Sequence, residues 1–391
     1  MNKKILILDF DPVLPTRGGV RFTEYFGLAK KNTKQVTEDI VSRLHTASHG
    51  ILNYTVSYET LDEFPVKKEK FRLAPEEFPD IWDEIISGGR AWWTHRRMPE
   101  LTGSGDFNFD YLHYIRELNL VERRNNGEFD EIWFFAEFAG AFETVMVGKG
   151  AYWINGSEIE AECAPFRINS IAKHRDDTPL ENLAHSAESI LSRIYKSDNW
   201  LWNPDKPPLP QEQKNTWEQF TSIELSCPGN AAVGYSHFAP NSERDYDWGN
   251  TREVWSSWRD WKDNFPNLTG EKELVDNNTW GGGDNLDYHT WWFSCFPHVI
   301  GRDAKGYSNN WWEYYQNFIY TESLEIRVNT PQVGSDAYKI NDDTDIQVFA
   351  ALNSRDIIDV TFDSTINIVS DNAGITVTAW RDGIFASCLI P

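Results

Sequence analysis

The chain has 391 residues, 40% of them hydrophobic, and a formal net charge of −23. That length suggests two or three domains, and the apolar content is enough for a proper core, which excludes wholesale disorder. The acidic excess excludes a nucleic-acid binder, because affinity for a phosphate backbone needs clustered Lys and Arg. The densest basic patch, residues 90–97 (RAWWTHRR), is short and lies beside acidic segments. No run of about eighteen apolar residues is present, so no membrane span is expected. Lys3 and Lys4 precede the apolar residues 5–8, but Asp9 and Asp11 interrupt that run before a secretory hydrophobic region would be complete. We therefore expect no signal peptide within the numbered sequence, and a removed or replaced one stays open. Cys163, Cys227, Cys295 and Cys388 are scattered, neither a disulfide framework nor a paired metal motif.

Residues 1–160 alternate between strand and helix signals. Residues 5–10 form an apolar run suited to a buried strand, and 37–47 follow with Val36, Ile40, Val41 and Leu44 at helical spacing. A strand is expected at 51–57, and a helix opens at Ala74-Pro75 and stops at Gly88-Gly89. A helix over 109–121 and a buried strand over 131–136 (EIWFFA) complete the series. Such alternation predicts a largely parallel sheet covered by helices.

Residues 181–195 carry the clearest helix, with Leu183, Ala187, Ile190, Leu191 and Ile194 on one stripe. The four prolines of 203–210 (NPDKPPLP) then exclude regular structure. Twelve of the eighteen tryptophans lie between Trp200 and Trp312, among many Gly, Asn and Asp, which predicts a loop-rich aromatic layer with short helices at 251–262 and 310–319. The tail is different: 324–328, 346–350, 357–362, 366–369 and 375–380 are short and rich in β-branched residues. The expected architecture is an α/β core with a long Trp-rich irregular insertion (200–312), together making a domain over 1–320. A C-terminal all-β, sandwich-like module over 324–391 follows.

Several groups could carry chemistry. His185 and Glu188 sit three residues apart on the helix, nearly opposite its apolar stripe. Either that face is solvated, or the aromatic layer covers it and the pair lines a cleft. An imidazole and a carboxylate can share a divalent metal (zinc or calcium), with His237 as the chosen further ligand and His174 and His289 as other candidates. After His237, Asp245, Asp247 and Asn250 place oxygens at short spacing with Gly249 turning the chain, as calcium loops do. Local Asx turns explain the same residues without an ion. Glu131, Glu137 and Glu143 flank a strand end, where α/β sites gather, and Glu137 or Glu143 is the candidate general base. Trp255, Trp258 and Trp261 are expected on one face of a short helix. Most tryptophans should be structural anchors, with one pair, Trp291 and Trp292, taken as the candidate lining of a groove.

Asp9-Phe10-Asp11 after an apolar strand resembles the first motif of haloacid-dehalogenase-type phosphatases, in which one Asp attacks phosphorus and the next is the acid/base. Pro12 departs from that pattern, and the acidic pair Asp284 and Asp287 lacks a preceding apolar strand.

Residues 130–156 (DEIWFFAEFAGAFETVMVGKGAYWING) and 237–270 (HFAPNSERDYDWGNTREVWSSWRDWKDNFPNLTG), with 47–56 and 182–191, resemble a family of uncharacterised, often secreted microbial proteins. The resemblance covers about 5–320 and carries no catalytic residue over. It implies an extracytoplasmic setting and one structural unit over that range. Together these features lead to the expectation of a metal-dependent hydrolase acting on an extracellular polymer, a glycan or peptide. The alternatives are a non-catalytic carbohydrate- or protein-binding surface protein and the phosphatase.

Overall fold

The computed structural model describes residues 1–25, 32–63, 65–66, 109–135, 144–171, 179–197, 210–303 and 305–318, and in the tail 325–327, 349–351, 375–381 and 384–390. A five-stranded sheet lies at its centre. Its strands are β1 (Asn2–Phe10), β2 (Asn53–Leu61), β3 (Glu131–Phe135), β4 (Thr144–Val147) and β5 (Phe166–Ser170), in the order β2-β1-β3-β5-β4. β2, β1, β3 and β5 run parallel, and β4 is antiparallel to β5.

Strand residues alternate between faces, and two separate cores follow from that period. Ile5 and Ile7 of β1, with Trp133 and Phe135 of β3, face one core. Leu6, Leu8 and Phe10, with Ile132 and Phe134, face the other. The second core is covered by the helices Tyr111–Glu117 and Leu120–Asn125. These replace the single helix expected over 109–121. Asn119 adopts a left-handed conformation (φ 51°) between them, a position Asn tolerates better than most residues.

The first core is larger. Helix α1 (Thr33–Ala47) turns Val36, Ile40, Leu44 and Ala47 into it, and helix α2 (Pro179–Ile194) contributes Leu180, Leu183, Ala184, Ala187, Ile190, Leu191 and Ile194. The aromatic layer extends the same core through helices α3 (Asn285–Ser294) and α4 (Trp311–Asn317). Trp217, Trp280, Trp292, Trp311 and Trp312 are all fully buried there. Trp311 meets Phe220 at 4.9 Å and Trp217 at 5.7 Å between ring centroids. Such ring pairs anchor long irregular segments that have few aliphatic side chains.

The helix expected over 251–262 is shorter. Val254–Ser256 is a strand paired with Glu273–Val275, and the helix runs only over Trp258–Asn264. Trp255 therefore leaves the face it was expected to share and is 53% exposed, while Trp258 and Trp261 are buried. A spacing of three cannot reveal a strand partner that arrives some twenty residues later.

Under α2 lies a buried ion pair. Arg167 of β5 donates from Nη2 to Glu131 Oε2 of β3 at 2.9 Å and from Nη1 to Ser186 Oγ of α2 at 3.3 Å. Its guanidinium sits 4.0 Å over the Tyr315 ring, and Trp133 Nε1 donates to Glu131 Oε1 at 2.6 Å. Glu131, considered as a strand-end acid, is thus consumed in joining sheet, helix and aromatic layer.

In the tail, Glu325–Arg327 pairs antiparallel with Phe349–Ala351, and Ile375–Arg381 with Ile384–Ile390. The last strand was missed in the sequence. The expected strands at 357–362 and 366–369, and the helix opening at Ala74, lie outside the described residues. No described helix is long and apolar enough to cross a membrane.

Candidate metal centre

Glu181, His185 and Glu188 stand at successive turns along one face of α2, opposite its apolar stripe. The loop 235–250 lies over that face. Its register is set by a tight turn in which Tyr235 N donates to Phe238 O and Phe238 N donates back to Tyr235 O. Gly234 enters this turn at φ +89°, in the left-handed region. Ser236 then docks on the helix, its N–H donating to Glu188 Oε1 at 2.7 Å and its hydroxyl to Glu188 Oε2 at 2.9 Å.

This docking brings His237 beside His185, with ring centroids 4.6 Å apart. Glu181 Oε1 lies between them, 3.2 Å from His237 Nε2 and 3.9 Å from His185 Nε2. Glu181, His185 and His237 each offer one donor atom, and the three atoms lie within 4.8 Å of one another. Donors around a tetrahedral zinc at ~2.05 Å are spaced by roughly 3.3 Å, so modest closure completes a three-ligand set.

Each imidazole faces a carboxylate with its other nitrogen. His185 Nδ1 is 3.0 Å from Glu188 Oε2, and His237 Nδ1 is 3.0 Å from Asp245 Oδ1. The Glu188 contact orients the His185 ring and favours its Nδ1–H tautomer, while His237 Nε2 donates to Glu181 and would exchange that hydrogen for a metal. Asn285 Nδ2 of α3 donates to Glu181 Oε2 at 2.8 Å, and the Tyr246 hydroxyl donates to Glu181 Oε1 at 3.0 Å. His289, completely buried, hydrogen-bonds through Nδ1 to Asn285.

The electrostatics favour an ionised site. Burial raises the Glu181 carboxyl, but the His237 hydrogen bond, the nearby His289 and the Asn285 amide outweigh it and hold the carboxyl well below its ordinary range. Burial likewise opposes the Glu188 charge, yet contact with His185 and the Ser236 N–H lowers its pKa. His185 is raised, because Glu188 and Glu181 overcome its burial. Burial pushes His289 down to about 4, which marks it as a neutral support behind Glu181.

The structure thus gathers His185 and His237, with Glu181 where Glu188 had been expected as the carboxylate ligand; Glu188 stands behind His185. Glu181 went unnoticed although it lies one turn before His185 on the same face. Asp245 backs His237. Asp247 Oδ2 accepts the Glu243 N–H at 3.0 Å and the Asn250 amide at 2.8 Å, while Asn250 Oδ1 accepts the Arg252 N–H at 2.9 Å. These Asx-type bonds account for the placement of Asp247 and Asn250 without an ion. Trp291 and Trp292 are buried core residues: Trp292 meets Phe296 at 4.8 Å and Trp291 meets Trp280 at 5.2 Å, so packing replaces the expected groove. Glu137, Glu143 and His174 lie outside the described residues.

At the end of β1, Asp9 is buried against the first turn of α1, where Thr33 donates to it at 2.5 Å. Asp11 accepts the Thr23 N–H at 3.0 Å and hydroxyl at 2.8 Å. These bonds tie the strand end to its neighbours and lend the phosphatase reading no support.

Compared with protein-family models, curated proteins and solved structures, the chain matches none of them. The roles of these residues therefore rest on their geometry.

Proposed function

We propose that the protein is a metal-dependent hydrolase acting on an extracellular polymer, a glycan or a peptide, in an extracytoplasmic setting. The observation that carries the reading is the convergence of Glu181, His185 and His237 with a carboxylate behind each imidazole. Two nitrogen donors and one oxygen suit zinc or a similar transition metal better than calcium, which prefers an all-oxygen shell. Three protein ligands leave a further position for water, whose pKa a bound metal lowers toward neutrality. Tyr246 is exposed beside the site, where its hydroxyl donates to Glu181 and helps to orient that ligand. The general base is proposed from Glu137 or Glu143. The finer architecture is part of the same proposal: a 1–320 domain with its aromatic layer, and a sandwich-like module over 324–391.

The test is a panel of glycan and peptide polymers incubated with zinc-loaded protein. Hydrolysis is expected, to vanish with a chelator and to return on adding zinc. Metal-dependent binding without cleavage of any polymer would transfer the assignment to the non-catalytic alternative.

A further inference from the structure

The segment that leads into the Ser236–His237 turn holds a second cluster, whose chemistry is independent of the metal reading. Lys214 is buried, and its Nζ lies 2.8 Å from Ser222 Oγ and 2.5 Å from Cys227 Sγ. Among the described residues Lys214 makes no ion pair with a carboxylate, so its amine is presented to a thiol and not to a counter-ion. Cys227 is partly exposed and unpaired with another cysteine, and Ser226 Oγ lies 3.5 Å from its sulfur. The nitrogen–sulfur separation is shorter than the ~2.7–3.2 Å of an ordinary N–H···O bond, although sulfur is the larger acceptor. One oxygen atom bonded to both nitrogen and sulfur accounts for such a spacing, and the two groups need no movement to be joined.

We propose that Lys214 and Cys227 form a reversible N–O–S cross-link, with dioxygen as the oxidant. One N–H bond, the S–H bond and the dioxygen bond break, and one N–O and one O–S bond form. The second oxygen leaves as water with the two displaced hydrogens. Nitrogen and sulfur each give up two electrons, and dioxygen takes all four. A partly exposed thiol is the reactive partner such oxidation requires.

The bridge has a structural consequence. Ala232 N donates to Ser222 O at 2.8 Å, and Val233 N donates to Phe220 O at 2.9 Å, so residues 214–227 support the strand of chain that reaches Gly234. Closing Lys214 to Cys227 stiffens that support by restricting the unfolded chain.

Full-length protein purified in air and digested with trypsin without reductant tests the proposal. Lys214 is then protected, and a peptide spanning residues 197–244 is expected, carrying one oxygen more and two hydrogens fewer than its sequence. A thiol reductant should restore cleavage after Lys214 and alkylation of Cys227. Protein kept anaerobic throughout should show neither change, and Cys227→Ser should restore cleavage in air. Complete cleavage after Lys214 in air, with Cys227 recovered as a free thiol, a sulfinic acid or a disulfide, overturns the proposal.

Discussion

Arg167→Met is expected to lower the midpoint of thermal unfolding by roughly 10 °C. Arg167 and Glu131 are both buried, and the carboxylate's other partner is the Trp133 indole. Methionine fills much of the space but leaves the Glu131 charge without its cation, a change that costs about 3–5 kcal/mol when a buried pair is broken from one side. Ser186 and the Tyr315 ring lose their contact with the guanidinium as well, which loosens α2 from the sheet. Combining Arg167→Met with Glu131→Gln removes the orphaned charge and retains an acceptor for Trp133. The double variant should recover more than half of the loss. Differential scanning calorimetry of wild type, both single variants and the double variant gives the coupling. A melting point for Arg167→Met indistinguishable from wild type would show that the pair is not holding these layers together.

The second large effect is expected at Gly234. A Cβ built there would lie 2.2 Å from Phe238 O, and the backbone is left-handed at φ +89°. Phe238 O cannot retreat freely: it accepts the Tyr235 N–H and the Tyr288 hydroxyl at 3.0 Å. Gly234 O is also fixed, by Trp292 Nε1 at 2.9 Å. Gly234→Ala should therefore cost roughly 3 kcal/mol through strain and overpacking. It should also weaken metal binding, because the same turn seats Ser236 on Glu188 and brings His237 to His185. Gly229→Ala is the control: φ is +74° there, but the added carbon meets nothing within 4 Å. An equal loss of stability in the two variants would assign the effect to backbone conformation alone.

Local periodicity made much of the scaffold legible. The continuous apolar runs within β1 and β3 mark strands buried on both faces, and the stripe of α2 follows from a period of 3.6. The same reasoning placed His185 and Glu188 away from the helix's own core. What it could not supply was the cover. The register of the 235–250 loop depends on one left-handed glycine, a two-way backbone turn and the distant Tyr288 hydroxyl, none of which is periodic. Glu181 was within reach, since E-x-x-x-H-x-x-E sets three polar groups on one face, but it becomes a candidate ligand only once His237 lies opposite. Asp245 was conspicuous as an oxygen donor. Its position behind His237 depends on how the loop closes, with Tyr246 at φ 56°. For Trp291 and Trp292, adjacency in sequence gave no sign that Trp258 and Trp280 would pack on the first and Trp217, Phe220 and Phe296 on the second.

The central claim is that Glu181, His185 and His237 together hold one transition metal, and zinc titration by calorimetry against a competing chelator tests it most directly. Wild type should bind one zinc per chain. Binding should disappear in the His185→Ala, His237→Ala double variant, and fall by about 10–100-fold in Asp245→Asn, which keeps the shape but weakens the carboxylate behind His237. Far-UV circular dichroism should show all three proteins folded. Folded wild type that takes up no zinc, or zinc binding that survives in the double histidine variant, would contradict the assignment.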